Sequence, residues 1–279
     1  MKTKVYIDNN KIITGITLKD EREPEYNNMA LHACIRADRV ILNRRKLADV
    51  LHCRLEDFVC CNQTHSSNYY KVTRADKGRG ADSTSTAIKD TDALYTYEPN
   101  LLLCCFTADC VPVTFYHETA GLVGVIHSGW QGTVKEITRK IFKHLIEFEH
   151  CDPRDFYVYI GTALSRESFE VDEPVYVKFM ELGYGKNFIN YNNQTGKYHI
   201  DNQQFVKLQC EMNGIQGINI KVDNTCTYKS ADGFSYRQDK NCGRHMSFIM
   251  KKGLPPINEW PLADARVYRQ SNSRLKITT

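Results

Sequence analysis

Apolar residues in this chain come in short runs, and the densest group of runs spans residues 101–133. Runs at 101–106 and 111–116 flank the polar island Thr107-Ala108-Asp109-Cys110. A third, at 121–126, ends in His127 and the turn-like Ser128-Gly129-Trp130-Gln131-Gly132. Short apolar runs bounded by glycine and polar residues are the pattern of buried strands. The pattern therefore places Cys110 and His127 at the ends of neighbouring strands, able to face one another. A thiolate meeting an imidazole at a strand edge is either a metal site or a nucleophile–base pair.

The same reading extends along the chain. Residues 5–7 are an edge strand, and the polar stretch 19–28 with Pro24 is an exposed loop. A helix opened by Asp38 and running to about residue 51 puts Val40, Leu47 and Leu51 inward and Arg44, Arg45 and Lys46 outward. The buried strand 58–61 delivers Gln63, Thr64 and His65 at its end, so His65 is a third residue of ligand type placed like the other two. A strand follows at 69–73, and the Gly-, Ser- and Thr-rich 76–91 reads as a mobile loop near the site.

Beyond the central stretch, Thr133 and Glu136 form a capping-box pattern. The helix they open buries Val134, Ile137, Ile141 and Leu145, and its start behind His127 offers N–H groups to an anion. A strand at 155–160 and a helix at 173–182 come next. Asp201 and Gln204 open a further helix with Phe205, Leu208 and Met212 inward, ended by Gly214. Between strands at 218–222 and 246–250 lie Arg237 and Arg244, two candidates to clamp phosphate. The proline-bearing end, 253–279, reads as a loosely docked tail.

Composition narrows the class. At 279 residues, 42% hydrophobic and 25% charged, the chain suits one soluble globular domain. A net charge of +4 with dispersed Lys and Arg gives no support to nucleic-acid binding. No apolar run approaches membrane-spanning length, and the start, MKTKVYIDNNK, has no hydrophobic signal core. Eleven cysteines, an odd number with several inside apolar runs, point to buried thiols in a reducing cytoplasm rather than to a disulfide framework.

Two histidines and a cysteine are a normal zinc set with a fourth position left open, and the same donors can hold copper. Asp109 beside Cys110 is a candidate acid or base. None of the short zinc motifs occurs, with no CxxC pair and no HExxH. A Cys110 nucleophile activated by His127, as in cysteine hydrolases and amidases, stays open beside the metal.

At these residues the chain resembles a known family. Gln63-Thr64-His65, Thr107-Ala108-Asp109-Cys110-Val111-Pro112-Val113 and Val125-Ile126-His127-Ser128-Gly129-Trp130-Gln131-Gly132-Thr133 are similar to the motifs of the laccase-domain, or multicopper polyphenol oxidase, family. Its members are described as purine nucleoside phosphorylases with adenosine deaminase activity. Asp92-Ala93-Leu94, Ile160-Gly161, Phe169-Glu170-Val171, Cys226-Thr227-Tyr228, Ser235-Tyr236-Arg237 and Gly243-Arg244 extend the likeness over residues 25–250 in order.

The resemblance implies metal ligation by His65, Cys110 and His127, with zinc or in some descriptions copper; Cys110 and His127 are then catalytic too, and Asp109 joins them as an acid or base by its adjacency to Cys110. It implies substrate or phosphate contacts at Gln63, Ser128, Gly129, Glu170, Arg237 and Arg244, with small nucleosides and phosphate as partners. For the fold it implies a single α/β domain, an α-β-β-α sandwich with mixed sheets, related to the cysteine–histidine toxin deamidases. Two alternatives accompany it: a Cys–His hydrolase or amidase acting on cell-wall precursors, and a copper-dependent phenol oxidase. The chain departs from the pattern at Gln131, where the family carries arginine, at Thr162-Ala163 for Gly-Pro, and at Ser168-Phe169-Glu170 for its Cys-Cys-Tyr-Glu segment. The missing arginine shifts the expected anion contact onto Arg237 and Arg244.

Overall fold

Strands that are apolar on both faces need cover on both sides, and two stacked sheets between helices provide it. A computed structural model gives the fold of residues 1–253. The first sheet runs in the order β1 (Thr3–Asp8), β2 (Ile12–Thr17), β14 (His245–Lys251), β6 (Leu102–Thr107) and β3 (Phe58–Cys60). The second runs β13 (Ile220–Val222), β9 (Phe156–Ile160), β7 (Val111–His117), β8 (Leu122–Ser128), β5 (Ala93–Thr96) and β4 (Tyr69–Lys71). Both are mixed: β3 runs parallel to β6, β4 to β5 and β13 to β9, and the other pairs are antiparallel.

Side-chain alternation along single strands divides the core into layers. Leu102, Cys104 and Phe106 of β6 pack toward α1 (Ala37–Val50), whereas Leu103 and Cys105 face the second sheet. On β8, Val123 and Val125 meet them, and Leu122 and Ile126 turn outward to the helices that cover the second sheet. Those helices follow α2 (Trp130–Val134): they are α3 (Ile137–Glu147) and, beyond α4 (Glu173–Met180), α5 (Asn202–Glu211). The layering is α-β-β-α, as the resemblance implied. A small third sheet, β10 (Glu170–Val171), β12 (Lys197–Ile200) and β11 (Ile189–Asn192), packs with α4 around Phe179 and Phe205.

Several local expectations need correction. Arg44 is not outward but only 1% exposed, and its guanidinium donates to Met29 O, Gly80 O and Ala81 O at 2.7–2.9 Å. Helix periodicity cannot foresee carbonyls brought from elsewhere in the chain. The stretch 76–91 is a packed edge rather than a mobile loop. Ile88 N donates to Cys60 O, Asn62 N to Ile88 O and Cys60 N to Arg79 O, which completes the open side of β3.

The capping box at Thr133 is also absent. Thr133 is buried inside the one-turn α2, and Glu136, in the left-handed region at φ 59°, starts α3 instead. Its carboxylate pairs with Arg139 and Tyr184. Met212, expected inward, is 42% exposed. The expected tail lies, beyond Gly253, outside the described residues.

Candidate metal centre

The register of the second sheet builds the site. Val111 pairs with Ser128 and Pro112 with His127 across β7 and β8, so Cys110 reaches the sheet edge beside Gly129. On the other side of β8, Ala93 pairs with Ile126, which sets Asp92 next to His127; His127 N donates to Asp92 O at 2.7 Å. His65 arrives from the first sheet, past the end of β3. The ligand atoms of His65, Cys110 and His127 lie within 4.8 Å of one another, with Cys110 Sγ 4.0 Å from His65 Nε2. Two donors on one tetrahedral zinc, at ~2.0 and ~2.3 Å, would stand roughly 3.5 Å apart. The cluster is close to that spacing.

Asp92 holds the cluster together. Its fully buried carboxylate lies 2.8 Å from His127 Nδ1 and leaves Nε2 for the cluster. The same carboxylate accepts from the backbone N–H of Thr64, His65 and Ser66 at 2.7–3.2 Å and from Ser66 Oγ at 2.6 Å. These bonds fix His65 in a left-handed conformation, φ 57°, that a non-glycine residue adopts only at a cost. Gly129 supplies room: a Cβ there would stand 2.9 Å from both Cys110 Sγ and His65 Cδ2.

Burial and charge oppose each other in this corner, and charge prevails. Burial pushes the Cys110 thiol up, but His127 and His65 outweigh it and bring the thiol down to about 6. Burial pushes the His127 imidazolium down, while Cys110 and Asp92 draw it up to about 9. Burial also raises the Asp92 carboxyl, and the donors from His127 and Ser66 hold it at about 2. The corner is therefore poised as thiolate, imidazolium and carboxylate, and a cation replacing the imidazolium proton would meet two anionic groups.

His65 and Cys110 open onto a cleft of about 530 Å³, in the range of small-ligand sites. Trp130, Leu164, Phe169, Val171 and Val175 give it apolar walls, and Asp109, Glu170, Asp172, Lys197, Arg237 and Lys240 supply charge.

With the geometry in view, comparison with known proteins assigns the family. The family described as multi-copper polyphenol oxidoreductase laccase matches residues 20–252. The chain belongs to that family. The purine nucleoside phosphorylase YlmD of Bacillus subtilis is 35% identical over 251 residues, covering 88% of this chain and 90% of the relative. YlmD of Geobacillus stearothermophilus is 36% identical over 247 residues, covering 86% and 90%. Its crystal structure superposes with a TM-score of 0.81 at 34% identity, over 87% of this chain and 92% of that one. A Bacillus licheniformis hypothetical protein, YfiH, gives a TM-score of 0.83 at 33% identity, over 89% and 99%.

The other expected site residues divide by location. Glu170 and Arg237 line the cleft, and Arg237 Nη1 donates to Glu170 O at 2.8 Å. Asp109 also lines it, yet both its carboxylate oxygens are occupied: Oδ1 accepts from Thr227 Oγ1 and Oδ2 from Arg237 N, each at 2.7 Å. Asp109 thus ties the 226–237 segment to the cluster, which is an anchoring position rather than that of a free acid or base.

Three further residues stand back from the ligand space. Gln63 pairs its amide with both main-chain groups of Phe106, at 2.7 and 2.8 Å, and prolongs the first sheet. The Ser128 hydroxyl is buried against Thr133 Oγ1 at 2.9 Å. Arg244 folds onto the Tyr236 ring, 5.5 Å from its centroid, and donates to Cys242 O and Gly243 O. Sequence reasoning had Asp92 only as part of a motif, although it precedes an apolar run much as His65 follows one. Lys197 and Lys240 were missed, since nothing local marks a surface lysine that folding brings to a cleft.

Proposed function

We propose that this chain is a zinc-dependent purine nucleoside phosphorylase, acting on adenosine, inosine and methylthioadenosine, that also deaminates adenosine. The observation that carries the reading is the His65–Cys110–His127 cluster, which opens through His65 and Cys110 onto a cleft with apolar walls and two cations, Arg237 and Lys240, free of ion pairs among the described residues. The names of the relatives supply the substrate class. The donor set fits zinc: one soft thiolate and two imidazoles, with a buried carboxylate on the far nitrogen of one of them. When bound, zinc supplies a Lewis acid able to activate water near neutral pH. Copper is compatible with the same donors, but a multicopper oxidase needs further histidine clusters, and one such group is found among the described residues.

The chain's own groups take the remaining roles. Asp92 fixes the tautomer and direction of His127, and Gly129 keeps the approach to Cys110 clear. Phe169, Leu164 and Trp130 exclude water around the base. Arg237 and Lys240, which make no ion pair among the described residues, are the phosphate donors. Arg237 keeps the role the sequence suggested, and Lys240 takes the one expected of Arg244. Eleven free thiols suit a reducing compartment, the cytoplasm.

Purified protein of measured zinc content, supplied with each nucleoside and phosphate, should release base and ribose 1-phosphate; without phosphate, adenosine should give inosine. Absence of both products from zinc-loaded protein overturns the reading. A second reading draws on one observation, the Cys110–His127–Asp92 alignment, which also suits a cysteine hydrolase or amidase. Amidase turnover that survives chelation would favour it.

A further inference from the structure

Three aromatic residues line the cleft: Trp130, Phe169 and Tyr236. Phe169 is 8% exposed and packed in a core cluster, and Trp130 packs against the same cluster. Tyr236 is 48% exposed. Its backbone is nonetheless held on both sides. Phe234 N donates to His245 Nε2 at 2.8 Å, Ser235 is buried, and Arg237 N donates to Asp109 Oδ2 at 2.7 Å. Asp109 directly precedes Cys110, so Tyr236 stands one residue from an anchor to the ligand cluster. With the chain fixed in this way, the exposed surface of Tyr236 is chiefly that of its ring. The Arg244 guanidinium sits over that ring, 5.5 Å from its centroid, while Nη1 donates to Gly243 O at 3.1 Å. One face is thus covered by a cation already engaged with the main chain, and the other is the part left to the cleft.

The face of an aromatic ring carries negative charge density, so it receives another flat π-system well and an anion poorly. Of a nucleoside and its phosphate co-substrate, only the base offers such a system. We infer that the purine base stacks on the Tyr236 ring, on the face opposite Arg244, which makes Tyr236 a substrate-binding residue. The inference rests on the nucleoside reading above. It divides the cleft between neighbours: Tyr236 takes the base, and Arg237 with Lys240 takes the phosphate. A ring already braced from behind loses little further freedom when the base arrives.

The test measures phosphorolysis of inosine by the wild type, Tyr236→Leu and Tyr236→Phe, with KM determined separately for inosine and for phosphate. Leucine keeps bulk but removes the π-face, and phenylalanine keeps the face but removes the hydroxyl. Tyr236→Leu is expected to raise the inosine KM about tenfold, with kcat and the phosphate KM within about threefold. Tyr236→Phe should stay within about threefold of the wild type on every constant. A loss in Tyr236→Phe as large as in Tyr236→Leu would assign the contact to the hydroxyl and overturn the inference. Equal rises in both KM values for Tyr236→Leu would make Tyr236 a support for the turn that carries Arg237 and Lys240, with the same consequence. So would an unchanged inosine KM. In those three cases the wild type still turns over inosine, and the inference alone falls. If the zinc-loaded wild type turns over no nucleoside, the nucleoside reading falls and takes the inference with it.

Discussion

The His65–Cys110–His127 corner and the rim that carries Arg237 and Lys240 border one cleft but are built in different ways. In the corner, each functional side chain is tied to a strand or to a buried carboxylate: His127 to Asp92, His65 through its N–H to the same acid, and Cys110 to the edge of β7. On the rim, Arg237 and Lys240 are exposed and lie on an irregular segment anchored through Asp109. Arg244, a few residues on, folds away onto Tyr236. A metal needs donors fixed to fractions of an ångström, which burial supplies. A diffusing phosphate tolerates longer, more mobile cations whose attraction acts over several ångströms.

That contrast can be broken from the corner first. Cys110→Ala should abolish nucleoside turnover and zinc retention while costing stability only of order 1 kcal/mol, because little volume is removed. Melting temperature measured beside activity decides it: lost stability with normal activity per folded molecule would make Cys110 a core residue. Asp92→Asn keeps the shape but weakens the hold on His127 and on the N–H groups of the His65 turn. Zinc affinity should fall roughly 10–100-fold in a competition titration, with phosphate KM nearly unchanged. An unaltered zinc affinity would show that the corner does not depend on that carboxylate.

The rim should respond more weakly. Arg237→Ala is expected to raise phosphate KM about tenfold, as for one lost charge-assisted bond, and to affect adenosine deamination much less. Arg244→Ala, whose guanidinium is turned to Tyr236, should shift phosphate KM by less than about threefold. A larger effect from Arg244 than from Arg237 would reverse this assignment of the rim.

The smallest perturbation leaves the sequence intact. In zinc-free protein the Cys110 thiol, lowered to about 6, is ionised at neutral pH, unlike an ordinary thiol near 9. Its alkylation by iodoacetamide should therefore persist at pH 7 and fall only as the pH drops through about 6, where protonation removes the thiolate. Saturating zinc should protect it. An alkylation midpoint near 9 would mean that His127 and His65 do not stabilise the thiolate.

Much of the corner was legible because strand-end residues obey a local rule. A continuous apolar run reports a strand covered on both faces, and the residue that closes it must stand at the sheet edge. His65, Cys110 and His127 were each found that way. The rim gave no such signal: Arg237 and Arg244 differ little in local pattern, and only folding turns one to the cleft and the other to Tyr236.

What the sequence determined by itself was the set of doubly buried strands, the residues at their ends and, through motif likeness, the family. Tertiary structure decided the rest: that Arg44 is buried, that the backbone of 76–91 pairs with β3, and that Asp92 supports both His65 and His127. The physical reason is range. Burial pattern is set within a few residues by the period of the strand. The partner of a buried charge or amide can come from any distance along the chain, as Asp92 and His127 do across 35 residues.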